Sequence, residues 1–239
     1  MNWSRWRSIP WVDTRARFVA SVKPGGKLLD LGSSDGGTLR HFAELRPDLS
    51  FASADIAGLP ETYPRGTDFR RANFDTDRLP WPDGSFDAVT CMHVVEHLQN
   101  PQHILSEAAR VLKPDGLLYV ETPHPKSVSL RSAVGHGTEQ VTVNFYDDPT
   151  HFGRPHSPQS LYRLFRMYSA DVLECRYNIV LRTRLLLPWY LFRSMVQRDA
   201  ATLENAVWYG IGFAVYAIGR KAAATTSARS YVLSGTATA

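Results

Sequence analysis

The stretch Lys27-Leu-Leu-Asp-Leu-Gly32-Ser-Ser-Asp-Gly36-Gly37 carries the clearest structural signal in the chain. Its first five residues form a short apolar run that ends at Gly32, which predicts a buried strand followed by a sharp turn. Residues 36–45 then space apolar side chains as in a helix and stop before Pro47. A strand that leads through glycines into a helix predicts the opening unit of an α/β sheet.

Strand and helix signals keep alternating up to residue 122. Apolar runs predict further strands at residues 51–56, 69–73, 86–91 and 117–121, and Lys113-Pro-Asp-Gly116 predicts a turn. Residues 101–112 predict a helix with Pro101 at its first position and one apolar face. Strands joined by helices of this length pair in parallel and are covered on both faces. The sequence therefore predicts a doubly wound, mostly parallel α/β sheet.

The pattern changes after Thr122. Residues 123–158 are rich in histidine, glycine and proline, and so long a loop in a compact domain is more often functional than filler. A helix capped by Ser157 is predicted over residues 157–168, and two strands at residues 172–180 and 211–219, with a helical insertion at 185–207 between them. We expect one domain over residues 1–221 and a disordered tail over residues 222–239.

Composition narrows the class of protein. The 239 residues are 44% hydrophobic and 21% charged, which is typical of a globular chain. Residues 1–122 hold 14 Lys/Arg and 16 Asp/Glu, whereas residues 123–239 hold 13 and 7, so the second half is basic. No basic run interleaved with aromatic residues occurs, and nucleic-acid binding is therefore not expected.

Cysteine usage and hydropathy predict the compartment. Two cysteines, Cys91 and Cys175, cannot form a disulfide framework and suggest a reducing environment. The longest apolar candidate, at positions 206–219, is too short for a membrane helix and contains three glycines, which predicts buried strand and turn instead. We therefore expect a soluble, cytoplasmic protein.

The glycine loop predicts a ligand without phosphates. Its spacing differs from that of dinucleotide and phosphate loops, and its acids, Asp30 and Asp35, would repel a pyrophosphate but suit a cationic ligand. Asp55 is predicted at the end of the second strand, after the glycine loop in the chain. An acid at this position can bind both hydroxyls of a ribose. A cationic, adenosine-containing ligand is the simplest interpretation. The alternative is a structural turn with surface acids.

Several motifs together resemble one enzyme family. They occur in family order and spacing over about residues 26–123: Leu28-Leu-Asp-Leu-Gly32-Ser-Ser-Asp-Gly36, Ala54-Asp55, Asp75 with Leu79-Pro-Trp-Pro-Asp-Gly-Ser-Phe-Asp-Ala-Val89, His93-Val-Val-Glu-His97, and Ala109-Arg-Val-Leu-Lys-Pro-Asp-Gly116. This set resembles the class I S-adenosylmethionine-dependent methyltransferases, closest to their small-molecule branch. The resemblance implies a seven-stranded sheet whose last two strands form an antiparallel hairpin.

The resemblance also implies site residues and a division of the chain. Residues 20–123 would bind S-adenosyl-L-methionine, whose product is S-adenosyl-L-homocysteine, and residues 124–221 would face the acceptor. Ser34 and Asp115 stand where the family commonly has glycine. By family position, the methionine part of the cofactor would contact Asp30, Gly32, Ser34 and Gly36. Asp55 would bind the ribose, and the adenine would be contacted by Ile56, Asp75 and Thr76. His93 would lie beside the cofactor.

Histidines in the long loop are the candidate bases. Methylation of a hydroxyl benefits from a base, typically by roughly 10²–10⁴-fold. His124 follows the fifth strand and His151 is flanked by acids, so we take these two as candidates and favour His151. The spacings among His124, His136, His151 and His156 match no compact metal motif, and no metal is expected. His97 and His103 are interpreted as surface or packing residues.

The acceptor stays open at this point. The favoured reaction is O-methylation of a small molecule or a sugar or glycan, since residues 144–152 resemble a segment of bacterial methyltransferases of this branch, some of which act on glycans. The alternatives are N- or C-methylation, for example of a quinone precursor or an RNA base, and a non-catalytic subunit that only binds the cofactor. Residues 185–192, with the arginines near them, could dock on a membrane surface or receive a lipid-linked substrate. They could instead pack in the core or form a dimer contact. The sequence is compatible with both a monomer and a homodimer.

Overall fold

The computed structural model of the protein describes residues 13–132, 143–168 and 170–222. The sequence favours packing of an N-terminal helix for Trp3, Trp6 and Trp11, over a lid on the cofactor or an aromatic wall for the acceptor, and all three lie outside the described residues. The same holds for His136 and for residues 223–239, nearly all of the predicted tail.

Seven strands form one sheet in the order β3-β2-β1-β4-β5-β7-β6. Parallel pairing joins β1 to β2 and β4, β2 to β3, and β4 to β5, whereas β7 runs antiparallel between β5 and β6. The predicted doubly wound α/β fold with a C-terminal antiparallel pair is confirmed. The strands are β1 (Lys27–Leu31), β2 (Ser50–Asp55), β3 (Asp68–Arg71), β4 (Phe86–Met92), β5 (Leu112–Pro123), β6 (Ala170–Tyr177) and β7 (Ala214–Lys221).

Helices cover the sheet and fill the connection between its last two strands. Pro101 opens α3 and the Ser157 side chain accepts a hydrogen bond from the Ser160 N–H at the start of α4, as the sequence predicted. None of the described helices is long and apolar enough to cross a bilayer. The helices are α1 (Thr14–Ala20), α2 (Gly37–Leu45), α3 (Pro101–Val111), α4 (Pro158–Met167), α5 (Leu181–Leu185), α6 (Leu187–Gln197) and α7 (Ala200–Val207).

The core has one layer on each face of the sheet. Successive residues of a strand point to opposite faces. Accordingly, Leu28 packs in one cluster with Phe18, whereas Leu29 and Leu31 pack in the other with Ile104. This burial on both faces is what the continuous apolar runs of the sequence indicated.

Two predicted boundaries were wrong. The predicted turn at residues 113–116 lies inside β5 as an irregularity, where the β4–β5 register shifts between Phe86 and Ala88 and Asp115 adopts φ 63°. The last strand was predicted to begin at residue 211, but β7 begins at Ala214. A π-helical turn covers Trp208–Gly212, and Gly212, with φ 85°, turns the chain into β7. An apolar run alone does not distinguish a buried helical turn from a strand.

Candidate functional site

The glycine loop after β1 has three residues in the left-handed region. Gly32, Ser34 and Gly36 have φ values of 78°, 46° and 77°. A Cβ on Gly32 would lie 2.2 Å from the Val94 side chain, so only glycine fits there. Ser34 stands where the family commonly has glycine, and its left-handed conformation costs about 1–2 kcal/mol for an L-residue, so the loop must be held by its neighbours.

Asp55 holds that loop. One carboxylate oxygen of Asp55 accepts a hydrogen bond from the Ser34 N–H at 2.8 Å, and the other accepts from the Ala57 N–H at 2.8 Å. The Tyr63 hydroxyl donates to the Ser34 carbonyl at 3.0 Å and lies 2.7 Å from Ser33 Oγ. The predicted ribose-binding acid is therefore in direct contact with the predicted methionine-binding loop.

Other predicted cofactor residues lie at the same end of the sheet. Ile56, directly after Asp55, is 63% exposed and offers a free apolar surface. Asp75 follows β3 and accepts a hydrogen bond from the Asn100 N–H at 2.7 Å, which ties it to the start of α3. Thr76 is exposed and donates to Asp77. Asp35 is exposed and pairs with Arg40 at 3.3 Å, so its charge is partly compensated.

Asp30 is a buried carboxyl beneath the loop. It is 2% exposed and accepts a hydrogen bond from the Thr90 hydroxyl of the neighbouring strand at 2.6 Å. Burial raises the pKa of Asp30 to about 7, and the Thr90 hydrogen bond opposes this rise only in part. Asp30 is therefore an acid that a nearby cation would ionise.

His93, at the end of β4, is a fixed cation. Its Nε2 lies 3.1 Å from Glu121 and its Nδ1 lies 3.3 Å from Glu96, while its backbone adopts φ 53°. Burial favours the neutral ring, but the two carboxylates outweigh it and raise the pKa of His93 to about 9. A histidine that is charged at neutral pH cannot accept a proton, so His93 is suited to electrostatic and hydrogen-bonding roles.

Glu121 is the centre of a buried polar network that the sequence analysis missed. It accepts hydrogen bonds from Arg15 at 3.1 Å, Asn178 at 2.9 Å and Tyr209 at 3.1 Å, as well as from Tyr119. Burial favours the protonated acid, but Arg15 and His93 hold the pKa of Glu121 well below its usual range. The sequence held one signal for this network, because Glu121 directly follows the apolar run at residues 117–120 and a buried charge needs a partner.

Two neighbouring cavities open at the carboxyl ends of the strands. The larger, about 750 Å³, extends from Asp35 and Gly37 at the start of α2 to the helical insertion. The smaller, about 300 Å³, is lined by side chains that include His93, Glu96, His97, Asp148 and His151. Asn205 and Tyr209 line both cavities, so the two spaces meet at these residues.

The structure separates the two candidate bases. His151 lines the smaller cavity, with its Nδ1 at 2.5 Å from the Phe145 carbonyl and its Nε2 at 3.9 Å from Asp148. His124 lines neither cavity; it packs edge-on against Tyr177, and its Nδ1 accepts a hydrogen bond from the Lys126 N–H. Burial, assisted by Lys126, lowers the pKa of His124. The geometry thus favours His151 for chemistry, and its assignment as a base stays a prediction.

A cationic nucleoside suits the glycine loop. The basic side chain beside the loop, Arg40, is engaged by the Asp35 carboxylate and by the Asp35 and Thr62 carbonyls. Asp30 and Asp55, in contrast, both place carboxyl groups at the loop. The exposed Ile56 side chain beside Asp55 matches a flat apolar base next to a ribose. The residues present therefore fit S-adenosylmethionine.

Comparison with known proteins agrees with this fit. A family model described as a methyltransferase domain matches residues 3–174. The chain is 30% identical over 174 residues to a ubiquinone biosynthesis O-methyltransferase of Dechloromonas aromatica, covering 70% of this chain and 71% of that protein. It is 27% identical over 209 residues to a demethylmenaquinone methyltransferase of Tropheryma whipplei, covering 84% and 76%.

A solved structure shares the fold. A chain of the complex between the Trm112 methyltransferase activator and a methyltransferase of Haloferax volcanii superposes with a TM-score of 0.63 at 19% identity, covering 92% of this chain and 96% of that one. With the family model spanning most of the sequence, the chain belongs to the class I S-adenosylmethionine-dependent methyltransferases.

Proposed function

We propose that the protein methylates a hydroxyl group of a small acceptor of the quinone-precursor class. The observation that carries this proposal is the cavity of about 300 Å³ beside His93, because it leaves room for an acceptor and shares Asn205 and Tyr209 with the larger cavity, which begins at Asp35 and Gly37 of the glycine loop. A subunit that only bound the cofactor would need no such space. Both quinone-pathway relatives support a quinone-type acceptor over a sugar or an RNA base, and the ubiquinone biosynthesis O-methyltransferase supports oxygen as the methylated atom.

The chain's own residues have three tasks in this reaction. S-adenosylmethionine supplies an electrophilic methyl group, so the protein mainly aligns the acceptor oxygen with it and excludes water. Asp55 and the glycine loop would orient the nucleoside. Trp208 and Tyr209, from the helical insertion, wall off the smaller cavity, and His93 packs edge-on against Trp208 at 5.8 Å. The hydroxyl proton must leave, and His151 is the candidate that the sequence predicted for this step.

An acceptor screen tests this function. The protein is first titrated with S-adenosylmethionine by calorimetry, then incubated with ortho-diphenols carrying prenyl chains, with sugars and with a short RNA, while S-adenosylhomocysteine release is followed. We expect turnover with the diphenols, and methyl on oxygen by mass spectrometry. Turnover confined to sugars or RNA, or methyl found on carbon, would contradict the proposed acceptor.

Cofactor binding is expected to depend on pH through Asp30. The ionised carboxylate favours a sulfonium, and with a pKa of about 7 the carboxyl is roughly one tenth ionised at pH 6 and nine tenths at pH 8. The apparent Kd for S-adenosylmethionine should therefore fall about tenfold from pH 6 to pH 8. Calorimetry across this range measures it. Asp30→Asn should flatten the profile, and an unchanged slope in that variant would assign the titration to another group.

We also propose that α6 rests on an anionic membrane surface. Trp189, Phe192 and Val196 lie at helical spacing, and each is more than half exposed. Residues 176–198 contain no acid, and their five arginines include Arg182 and Arg193, which line the larger cavity together with Trp189. Apolar side chains flanked by arginines suit a bilayer of anionic lipid, and the same stripe would pass a lipid-like acceptor towards the cavity.

Vesicle sedimentation tests the membrane contact. Phe192→Glu should weaken binding to phosphatidylglycerol vesicles at least about tenfold, because burying one such side chain contributes roughly 1.5–3 kcal/mol. Met167→Glu is the matched control, since Met167 is also exposed but lies at the end of α4. Equal weakening by both variants, or binding that ignores added salt, would contradict this surface.

A further inference from the structure

Two histidines and a glutamate converge at the wall of the smaller cavity. Glu96, His97 and His151 each offer one ligand atom, and these atoms lie within 4.8 Å of one another. Glu96 and His97 belong to the short helical turn after β4, whereas His151 comes from the long loop that follows β5. The rings of His97 and His151 lie 4.7 Å apart, centroid to centroid.

Hydrogen bonds fix the tautomers of both rings. The Phe145 carbonyl can only accept, so His151 Nδ1 carries a proton and donates it at 2.5 Å. Thr150 donates its single hydroxyl proton to Asp148 at 2.6 Å, so its oxygen accepts from His97 Nδ1 at 2.8 Å. In their neutral forms both rings therefore keep a lone pair on Nε2. Ring nitrogens oriented by a carbonyl and a hydroxyl through their other N–H are typical of metal ligands.

Glu96 supplies the third donor from a buried position. It is 1% exposed and lines the cavity, and its Oε1 accepts no hydrogen bond from the residues that the structure describes. The nearest cation to Oε1 is His93 Nδ1 at 3.3 Å, while Oε2 accepts from the Thr122 hydroxyl at 3.1 Å. A carboxylate oxygen has two lone pairs, so Oε1 keeps acceptor capacity beyond its long contact with His93, and a second cation on the cavity side would use it.

We propose that Glu96, His97 and His151 bind one divalent transition-metal ion, with Zn²⁺ as the best match. Two imidazoles and one carboxylate form a donor set used by catalytic zinc sites, whereas Mg²⁺ prefers oxygen ligands only. Zinc–ligand bonds of about 2.1 Å place the donors of a tetrahedral site roughly 3.4 Å apart. Side-chain rotations that move the donor atoms by about 1 Å would therefore bring the observed cluster to this spacing. Asp148, 3.9 Å from His151 Nε2, adds negative charge beside the site.

This inference rests on the proposed function and revises one role in it. The fourth coordination position would face the cavity, where an acceptor hydroxyl beside the cation has a lowered pKa and releases its proton to solvent. The oxygen then forms a bond to the methyl carbon as the carbon–sulfur bond breaks, and the electron pair of that bond stays on sulfur. His151 is then a metal ligand instead of a general base.

Metal titration of the untagged, chelator-treated protein tests the site. With CoCl₂ followed by visible absorption and ZnCl₂ followed by calorimetry, we expect one equivalent to bind. His97→Asn and His151→Asn should each weaken binding at least about 100-fold, and Thr150→Val, which releases His97 Nδ1, about 10–100-fold. His103→Asn is the matched control, because His103 lies on α3 and bonds the Asp77 carbonyl outside this cavity.

The outcomes are distinguishable. Wild-type binding no tighter than that of a His97→Asn/His151→Asn variant would overturn the site. Glu96→Gln tests the buried ligand, and if that variant does not fold, the two histidine variants, checked by circular dichroism and by cofactor affinity, carry the test. Acceptor turnover that survives metal removal while Co²⁺ fails to bind refutes only the metal site. One bound equivalent with no acceptor methylated refutes only the proposed function.

Discussion

Glu121→Ala should lower the free energy of unfolding by about 3–5 kcal/mol, the cost of breaking a buried ion pair from one side. Glu121 is fully buried, and its removal leaves Arg15 and His93 without the carboxylate that both contact. Tyr209 and Asn178, which attach the helical insertion to β5, lose the same acceptor. Urea denaturation followed by tryptophan fluorescence measures the loss.

The same experiment has a pH signature. The pKa of His93 is raised above its unfolded value of about 6.5, so its ion pairs stabilise the wild type fully below that pH, and this stability is lost as pH rises through about 9. In Glu121→Ala the free energy of unfolding should therefore change less with pH between 6.5 and 9 than it does in the wild type. Glu44→Ala, which removes an exposed acid on α2, controls for the change in net charge. Equal stability of the two variants would show that the network contributes nothing.

Asp55→Ala should weaken S-adenosylmethionine binding about 100-fold or more. Hydrogen bonds to a charged group contribute roughly 1.5–3 kcal/mol each, and a ribose offers two hydroxyls to this carboxylate. The variant also loses the bonds to the Ser34 and Ala57 N–H groups, which support the left-handed loop. Calorimetry gives the affinity directly.

Asp55→Asn separates these two contributions. The amide keeps one acceptor oxygen for the loop but removes the charge, so its affinity should lie between that of the wild type and that of Asp55→Ala. Glu44→Ala should bind the cofactor like the wild type. An Asp55→Ala protein with wild-type affinity would place the ribose elsewhere and would remove the assignment for Ile56 with it.

The first half of the chain was predictable because its information is local. Residues 27–45 combine an apolar run, glycines and helical spacing, and they fold as β1, the loop and α2. The observed contact between Asp55 and Ser34 follows from the pairing of β1 with β2, since adjacent parallel strands end at the same edge.

The rest of the site depends on long-range contacts. His97 meets His151 although α3 and β5 lie between them in the chain, and no fixed spacing announces a contact that a loop of irregular structure creates. Arg15, on the first described helix, reaches Glu121 near the end of β5. His97 was predicted to be a surface or packing residue because helical periodicity indicates which face is apolar, and not what a distant loop places against it.

The helical insertion leaves and rejoins the sheet at one point. Tyr177 pairs with Val215, and the Asn178 N–H donates to the Ala214 carbonyl at 2.9 Å, so residues 179–213 form an excursion whose two ends are held together. Closing a longer excursion costs little extra entropy, about 0.6 kcal/mol per doubling of its length. An exchange of this module that keeps Tyr209, which donates to Glu121, is therefore expected to leave the nucleoside-holding strands intact.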